Sequence, residues 1–491
     1  MSGPEKIAVI DVGSNSCRLV IYEHIGAALL PYFNEKTMAG LGRNLSETGV
    51  LFPDGRIKAL DTLRRFRAIL EGLGITNIVA VATAAVREAE DGAAFQDAAA
   101  AALGLPLTVL SGADEGRLSA QGVLTGFGDV SGIVADLGGS SIEIQACDKG
   151  KMSSEAESFL LGPLARIADA ETSMEARRGA ILQALAASRA LADHPGTLIA
   201  VGGAWRNLAV VHMMLTDYPL RVVNGYHLNR KALGLVIEAL GRAERDKTLQ
   251  QKIEKIAKKR YGTMLHAALV LDGLLETSKV KAATISAYGL RDGVVGERLG
   301  TLGQGDSLTD TSQLFMNLSE DSMAFGSCLA EFVAPLFGTD HPDWGTITAT
   351  CQIADAGARM HPDHRPNLIF QQVVRAPLPR LDHRARLLAA SSVAWRYTFR
   401  FQIPGQMRAL MSEQDQVFAR ILGTAMRLGG AFSGRSSSIL TTSKLERNET
   451  ALTLRVWKKN EDMVSGTVKR RLRQLSGLLD LEPRIEIVER F

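Results

Sequence analysis

Two short segments of this chain combine an acidic residue with a Gly/Ser-rich turn that follows a run of apolar residues. The first turn contains Asp11, Gly13, Ser14 and Asn15, and the second contains Asp136, Gly138, Gly139, Ser140 and Ser141. Glycines allow a ligand to approach the backbone closely, and successive N–H groups and hydroxyls in such a turn form a cradle for an anion. Because an Asp carboxylate is a good magnesium ligand, the two turns together predict a cleft that holds metal-bound phosphates.

A further carboxylate, Glu143, follows Asp136 on the strand that leaves the second turn. The turn can fold the two carboxylates toward each other across a hairpin. Glu143 is then a candidate ligand of a metal ion or of its bound water, since magnesium prefers carboxylate oxygens and retains several waters. The alternative interpretation is an exposed glutamate on a strand.

Two charged residues, Glu115 and Arg87, are candidates for catalysis at a phosphate group and for binding it. Glu115 lies in the first turn of a predicted helix over 113–127, where the helix dipole favours acidic residues in any case. It is also a candidate general base, because hydrolysis of a phosphoanhydride needs a proton acceptor that activates water. Arg87 begins a predicted helix after a buried strand. It is either a solvated helix residue or a phosphate clamp, since a guanidinium matches phosphate oxygens in a bidentate manner.

A double glycine, Gly202 and Gly203, lies between a predicted strand and a predicted helix. The free N–H groups of a helix N-terminus can hold an anion or a nucleotide, although a double glycine is also common as a packing turn. The sequence contains no GxGxxG, P-loop or GxSxG motif. Dinucleotide-binding, Walker-type and serine-hydrolase functions therefore lack support.

The elements that must position these residues alternate between strand and helix. The pattern of strand, turn and strand followed by strand and helix occurs twice, and it predicts two related α/β lobes over residues 1–125 and 126–300. The pattern then predicts a helical domain over residues 301–428, which begins with a polar linker, Thr301–Thr311. Residues 429–491 predict a small α+β domain with a net charge of +4, from 12 Lys and Arg residues and 8 Asp and Glu residues.

The composition fits a soluble protein of several domains. The chain has 491 residues, of which 46% are hydrophobic and 22% charged, and this length favours two to four domains. The net charge of +3 is too small to indicate a nucleic-acid partner. We expect no membrane association, because no apolar run approaches the ~20 residues of a membrane span. Four cysteines without CxxC spacing suggest neither disulfides nor a zinc site, so a cytoplasmic location is expected.

Six segments taken together resemble the exopolyphosphatase/guanosine pentaphosphate phosphatase family of the actin-like ATPase superfamily. In chain order they are AVIDVGSNSCRLVIYE, VATAAVREAED, LSGADEGRLSAQGV, VADLGGSSIEI, VGGAWRNLA and ISAYGLRDGVV. The resemblance spans roughly residues 5–300, and the later regions are similar to those of the longer, four-domain members. It implies two actin-like (ribonuclease H-like) α/β lobes with a cleft between them, followed by the helical domain and the small C-terminal domain.

The resemblance also implies roles for individual residues. Glu115 matches the catalytic glutamate of the family, Asp136 and Glu143 match its Mg²⁺-site carboxylates, and Arg87 matches a phosphate-binding arginine. The two Gly/Ser turns match its phosphate loops. This chain departs from the usual pattern at Trp205, which is bulkier than the small residue often found there, so adenosine-type binding at that turn is not expected.

The function that follows is a cytoplasmic, Mg²⁺-dependent exopolyphosphatase, a homodimer that releases terminal orthophosphate from inorganic polyphosphate. The basic segments Lys252–Arg260 and Val468–Gln474 are candidates for the path of the chain. One alternative is a guanosine pentaphosphate 5′-phosphohydrolase, or an enzyme with both activities, that binds guanosine pentaphosphate or tetraphosphate. A second is transfer of the phosphoryl group to ADP, and a third is a non-catalytic protein that binds these alarmones.

Overall fold

The computed structural model describes residues 4–165, 173–193, 196–301 and 306–491, apart from the side chain of Lys259. The chain divides into two compact units, Met1–Ser307 and Leu308–Phe491. Part of the predicted linker, residues 302–305, lies outside the described residues, and a helix begins at Ser307 within the remainder.

The first unit opens with an α/β lobe built on one sheet. Its elements are β1 (Glu5–Val12), β2 (Cys17–Ile25), β3 (Ala28–Thr37), α1 (Leu45–Thr48), α2 (Pro53–Gly72), β4 (Ile78–Ala82), α3 (Ala84–Glu88), α4 (Gly92–Leu103), β5 (Thr108–Val109) and α5 (Gly112–Phe127). The sheet order is β3-β2-β1-β4-β5, with β1 antiparallel to β2 and parallel to β4. The strand β1 is apolar throughout its middle because both of its faces are covered. Ala8 and Ile10 pack into one hydrophobic cluster, and Ile7 and Val9 pack into another.

A second lobe of the same unit repeats this plan. Its elements are β6 (Gly132–Leu137), β7 (Ile142–Asp148), β8 (Lys151–Met152), β9 (Glu157–Phe159), α6 (Met174–Leu185), α7 (Arg189–Asp193), β10 (Thr197–Val201), α8 (Gly203–Leu215), β11 (Tyr226–Asn229), α9 (Arg230–Ala243), α10 (Lys247–Ala257), α11 (Met264–Ser278), β12 (Ala282–Ile285) and α12 (Leu290–Leu299). A 3₁₀ helix, Lys258–Thr263, links α10 to α11. The sheet order is β11-β12-β10-β6-β7-β8, with β9 paired to β7 and with β6, β10 and β12 parallel. The repeated strand–turn–strand design of the sequence therefore corresponds to the β1–β2 and β6–β7 hairpins.

Helices α5 and α12 cross each other closely within the first unit. A Cβ atom at Gly293 would lie 1.8 Å from the carbonyl oxygen of Leu118, and one at Gly122 would lie 2.1 Å from the carbonyl oxygen of Gly289. Only glycine fits at these two positions without moving a helix, because real Cβ atoms do not approach other heavy atoms so closely. Glu115 lies about one turn before Leu118 on α5, so the crossing fixes the helix that carries Glu115.

The second unit combines helices with a small sheet. Its elements are α13 (Ser307–Met316), α14 (Glu320–Phe337), α15 (Trp344–Gln352), α16 (Arg365–Arg375), α17 (His383–Tyr397), α18 (Gly405–Arg408), α19 (Glu413–Ser433), α20 (Ser437–Leu440), β13 (Ser443–Arg447), β14 (Ala451–Trp457), α21 (Gly466–Leu478) and β15 (Glu482–Val488). The strand β14 is antiparallel to β13 and parallel to β15. Phe325 of α14 and Leu454 of β14 belong to one hydrophobic cluster, so the helical and α+β segments share a core. The predicted boundaries at 125, 300 and 428 stay predictions.

No helix among the described residues is both long enough and apolar enough to span a membrane.

Candidate active site

The two predicted phosphate loops have the same backbone arrangement. The N–H of Gly13 donates to the carbonyl oxygen of Ser16 at 3.0 Å, and the N–H of Gly138 donates to that of Ser141 at 3.0 Å. Each loop joins the first two strands of its lobe, and in each the acidic residue lies two positions before the glycine. The two loops are therefore structural counterparts, as the repeated sequence pattern predicts.

The loops of the two lobes meet. The hydroxyl of Ser140 donates to the hydroxyl oxygen of Ser14 at 3.2 Å. A Cβ atom at Gly139 would lie 2.9 Å from the Cβ of Ser14, so glycine at this position permits the close approach. The two loops consequently face one space.

That space is a cleft of about 180 Å³ between the lobes. It lies at the carboxyl ends of the parallel strands β1, β4, β6 and β10, the usual position of ligands in α/β sheets. Most of the predicted site residues line it, namely Asp11, Gly13, Ser14, Asn15, Glu115, Asp136, Gly138, Gly139, Gly202 and Gly203. Four predicted residues lie behind this lining instead: Arg87, Ser140, Ser141 and Glu143.

Five cationic side chains that sequence reasoning did not single out as site residues also line the cleft. They are Arg18, Lys36, Arg206, Arg260 and Arg291. Three of them lie inside the family-like segments, so their positions carried a signal that was missed. Arg260 ends the basic segment Lys252–Arg260 that was predicted as a path for a polyanion. Lys36 had no sequence signal, because only the pairing of β2 with β3 brings it to the cleft.

These cations crowd one another. Burial first, and then Arg260 and Arg18, lower the pKa of Lys36 to about 8. Burial first, and then Arg291 and Arg18, lower the pKa of Arg206 to about 10. A bound anion relieves repulsion of this kind, so the cleft is suited to a polyanionic ligand.

Asp11 is paired with one of the cations. Nη1 of Arg291 lies 3.1 Å from Oδ2 of Asp11. Asp11 lies at the end of β1 in one lobe, and Arg291 lies in the first turn of α12 after the second sheet. The ion pair thus joins parts of the chain that are far apart in sequence, and it places a guanidinium beside the first predicted phosphate loop.

Glu115 is only 6% exposed although it lies in the first turn of α5. Nη1 of Arg87 lies 3.3 Å from its Oε2 and also donates to the carbonyl oxygen of Leu110 at 2.8 Å. Burial first, and then Glu143 and Asp136, raise the pKa of Glu115 well above its usual range, while Arg87 lowers it. Glu115 has the burial and raised pKa of a general base. Arg87 contacts that carboxylate and does not line the cleft. Its role as a phosphate clamp stays a prediction, and its position does not favour it.

Asp136 and Glu143 are direct partners in the β6–β7 hairpin, as the prediction that the turn folds them together requires. Glu143 is 1% exposed, which removes the alternative of an exposed strand glutamate. Ser119 donates to Asp136 Oδ2 at 2.5 Å, and Ser158 donates to Glu143 Oε1 at 3.1 Å. Burial raises the pKa of Asp136, and burial, with the neighbouring Asp136, raises the pKa of Glu143 to about 8. Within the described ranges, no group of three or more His, Cys, Asp or Glu side chains is arranged to hold a metal ion.

The double glycine, Gly202 and Gly203, allows a backbone carbonyl and a guanidinium to lie close to the turn. Gly202 has a φ of +130°, and a Cβ atom there would lie 2.7 Å from the carbonyl oxygen of Leu137. A Cβ at Gly203 would lie 2.6 Å from Nη2 of Arg260, so Gly203 admits a guanidinium to this wall. Trp205 is fully buried and donates from Nε1 to the carbonyl oxygen of Ala267 at 2.8 Å. The turn thus leaves room for the guanidinium of Arg260, and the tryptophan packs into the core.

Two α/β lobes with counterpart Gly/Ser loops around one cleft define the actin-like ATPase class of fold. Comparison with family models narrows this class. The model described as the Ppx/GppA phosphatase family matches residues 20–302, and one described as exopolyphosphatase, C-terminal, matches residues 335–484. The chain belongs to the Ppx/GppA phosphatase family, which confirms the resemblance seen in its sequence.

Curated relatives named as exopolyphosphatases and others named as guanosine-5'-triphosphate,3'-diphosphate pyrophosphatases both match the chain. A guanosine-5'-triphosphate,3'-diphosphate pyrophosphatase of Aliivibrio fischeri (strain MJ11) is 32% identical over 142 residues, 29% of this chain and 29% of that protein. Exopolyphosphatase 1 of Mycobacterium tuberculosis (strain ATCC 25618 / H37Rv) is 25% identical over 327 residues, 63% of this chain and 92% of that protein. The match to the Aliivibrio protein thus spans less than a third of its length.

Solved structures show the same fold. An exopolyphosphatase from Cytophaga hutchinsonii has a TM-score of 0.54 at 24% identity, over 60% of this chain and 98% of that one. The Ppx/GppA family member of Aquifex aeolicus has a TM-score of 0.52 at 22% identity, over 61% of this chain and 99% of that one. The predicted two-lobed actin-like α/β fold is confirmed.

Proposed function

We propose that the chain is an exopolyphosphatase that hydrolyses the terminal phosphoanhydride bond of inorganic polyphosphate and releases orthophosphate. The observation that carries this proposal is the set of residues that line the cleft. Two Gly/Ser loops, five cationic side chains and the buried carboxylate Glu115 line one space of about 180 Å³. Family membership and the similarity to exopolyphosphatase 1 support the class of reaction.

Binding of the substrate rests on the loops and the cations. The turn N–H groups and the hydroxyl of Ser14 can donate to the oxygens of the terminal phosphoryl group. Arg206, Arg260 and Lys36 can neutralise the following phosphates, since each phosphate of the chain brings a negative charge. A polyanion also removes the repulsion that lowers the pKa values of Lys36 and Arg206.

Glu115 accepts the proton of the attacking water. As the water oxygen bonds to the terminal phosphorus, the bond to the bridging oxygen breaks, and that oxygen leaves with the electron pair. A base is most effective when its pKa lies near the working pH, and the raised pKa of Glu115 suits it to this role. Arg87 holds the carboxylate in place and opposes the rise of its pKa that burial causes.

The carboxylates fit a divalent cation. Asp136 raises the pKa of Glu143, and both carboxylates raise the pKa of Glu115, so a cation beside Asp136 and Glu143 would favour their charged forms. Asp136 and Glu143 would hold Mg²⁺, which binds through one or two carboxylates, several waters and the phosphates of its substrate. When bound, the ion neutralises charge that develops on the phosphoryl oxygens.

Hydrolysis of guanosine pentaphosphate is a second candidate, because the similarity to the Aliivibrio protein gives the higher identity. The same loops and the same base would serve it. Transfer to ADP would need room for a nucleoside near Gly203, and the guanidinium of Arg260 occupies that wall. A purely binding role does not explain why a buried, arginine-held carboxylate lines the cleft.

The four cysteines Cys17, Cys147, Cys328 and Cys351 are free, which supports the cytoplasm as the location, since disulfides are rare in reducing compartments. The homodimer stays part of the proposal, and light scattering of the purified chain tests it.

Variants of the cationic lining test the proposal. Arg206→Gln and Lys36→Gln should each raise KM for long-chain polyphosphate by about tenfold, because each removes a charge-assisted contact. Arg230→Gln is the matched control, since Arg230 is an exposed arginine of the same lobe that pairs with Asp272. If KM stays unchanged in both cleft variants, the cleft does not bind the polyphosphate chain.

A further inference from the structure

The second unit contains a cavity of about 410 Å³ whose charged wall is mostly arginine. The charged and aromatic residues that line it are Asp355, Arg365, Arg396, Tyr397, Arg435 and Arg471. Its volume falls in the range of pockets for small ligands, about 300–1,000 Å³. None of these residues belongs to the cleft of the first unit.

The charges of this arginine cavity are unbalanced. Asp355 is the single carboxylate among its described lining residues, and it accepts from Nη2 of Arg396 at 2.5 Å and lies 3.8 Å from Nη1 of Arg435. Arg471 donates from Nη1 to the backbone oxygen of Arg427 at 3.0 Å. Arg365 likewise donates to backbone oxygens. Four guanidinium groups and one carboxylate therefore line the cavity, and two of the four lie beside the carboxylate.

Two of the arginines also keep unused donors. The Nε atoms of Arg396 and Arg471 are buried and have no hydrogen-bond partner among the described residues, and Arg396 is only 8% exposed. A buried charged donor without a partner is costly. Burial, and then Arg427 and Arg396, lower the pKa of Arg471 to about 10, so the positive charges here repel one another. An anion in the cavity would provide acceptors and neutralise this charge.

We infer that the arginine cavity is a binding site for a compact phosphate-bearing anion. Several guanidinium forks in one pocket match the many oxygens and the high charge of linked phosphates better than a single carboxylate. The ligand is a free, compact anion with linked phosphates, of which inorganic pyrophosphate is the simplest. The inference does not rest on the function proposed for the cleft.

Binding to the full-length chain tests this assignment, with Glu115→Gln present throughout to block turnover. Pyrophosphate titrated by calorimetry should occupy two sites, the cleft and the arginine cavity. Arg435→Gln and Arg471→Gln should each raise the Kd of the arginine cavity by about tenfold or more. Arg206→Gln should instead raise the Kd of the cleft. Arg435 has a side chain that is 55% exposed, so its replacement should leave the fold intact. Arg484→Gln is the matched control, an exposed arginine of the same unit that pairs with Glu482.

Long-chain polyphosphate forms the second arm of the experiment. Loss of a pyrophosphate site in the cavity variants identifies a free compact anion as a ligand. If the variants weaken only the binding of long chains, the site takes the phosphates of a longer molecule, and the inference of a compact-anion site is overturned. If Arg435→Gln and Arg471→Gln melt like the parent and bind both ligands like the parent, the cavity is not an anion site and the inference is overturned.

Discussion

Nη1 of Arg87 lies 3.3 Å from Oε2 of Glu115, so the arginine predicted to hold phosphate contacts the predicted base instead. Arg87 is fixed by the carbonyl oxygen of Leu110, the residue just before the N-cap of α5, and Glu115 stands in the first turn of that helix. The pair therefore orients the carboxylate toward the cleft and opposes the rise of its pKa. The first two predictions separate these roles.

Glu115→Gln should lower kcat for polyphosphate by about 10²–10⁴-fold and leave KM nearly unchanged, because the amide keeps the shape but cannot accept a proton. Initial rates of phosphate release measure this change. Asp114→Asn is the control, since Asp114 is the adjacent, exposed acid that bonds to Ser111 at the helix start. Near-normal turnover in a folded Glu115→Gln variant would contradict the assignment of the base.

Arg87→Gln should move the acidic limb of the kcat/KM profile to higher pH. Arg87 lowers the pKa of Glu115, so its removal raises that pKa, and the base becomes protonated at a higher pH than in the parent. Profiles of kcat/KM against pH for the two proteins measure the shift, and Arg87→Lys should restore part of it. A raised KM with an unchanged acidic limb would favour the predicted phosphate clamp.

Asp136→Asn and Glu143→Gln should each raise the Mg²⁺ concentration that gives half-maximal activity, by about tenfold, because each removes a negative oxygen from the surroundings of the ion. Titration of activity with Mg²⁺ measures the effect. Asp148→Asn, an exposed acid at the end of the same hairpin, should not change the titration. Unchanged titrations in both hairpin variants would make the two carboxylates structural.

Much of the site could be predicted because it is local in the chain. The loops and the Asp136–Glu143 pair follow from short hairpins, whose geometry is set by residues close in sequence. Lys36 could not be found in this way, since it reaches the cleft only through the pairing of β2 with β3. Arg291 lies in a family-like segment, but its sequence does not show that it pairs with Asp11 of the other lobe. Arg87 was assigned to phosphate because a sequence shows the type of a side chain but not the neighbour to which it bonds.

The close crossing of α5 and α12 makes a prediction for stability. Gly293→Ala should destabilise the chain by about 1–3 kcal/mol, because the new Cβ would meet the carbonyl oxygen of Leu118 at 1.8 Å and force the helices apart. Gly241→Ala is the matched control on α9, where a Cβ meets no atom within 4 Å. That exchange should be neutral or stabilise by up to about 1 kcal/mol. Thermal melts compare the two, and equal melting temperatures would show that the crossing tolerates a side chain.

The central claim is that the cleft removes terminal phosphate from polyphosphate. Orthophosphate release from long-chain polyphosphate and from guanosine pentaphosphate, measured side by side with and without Mg²⁺ and ADP, tests it most directly. We expect release from polyphosphate that requires Mg²⁺, does not need ADP and is lost in Glu115→Gln. Release from guanosine pentaphosphate alone, or formation of ATP in place of orthophosphate, would contradict the claim.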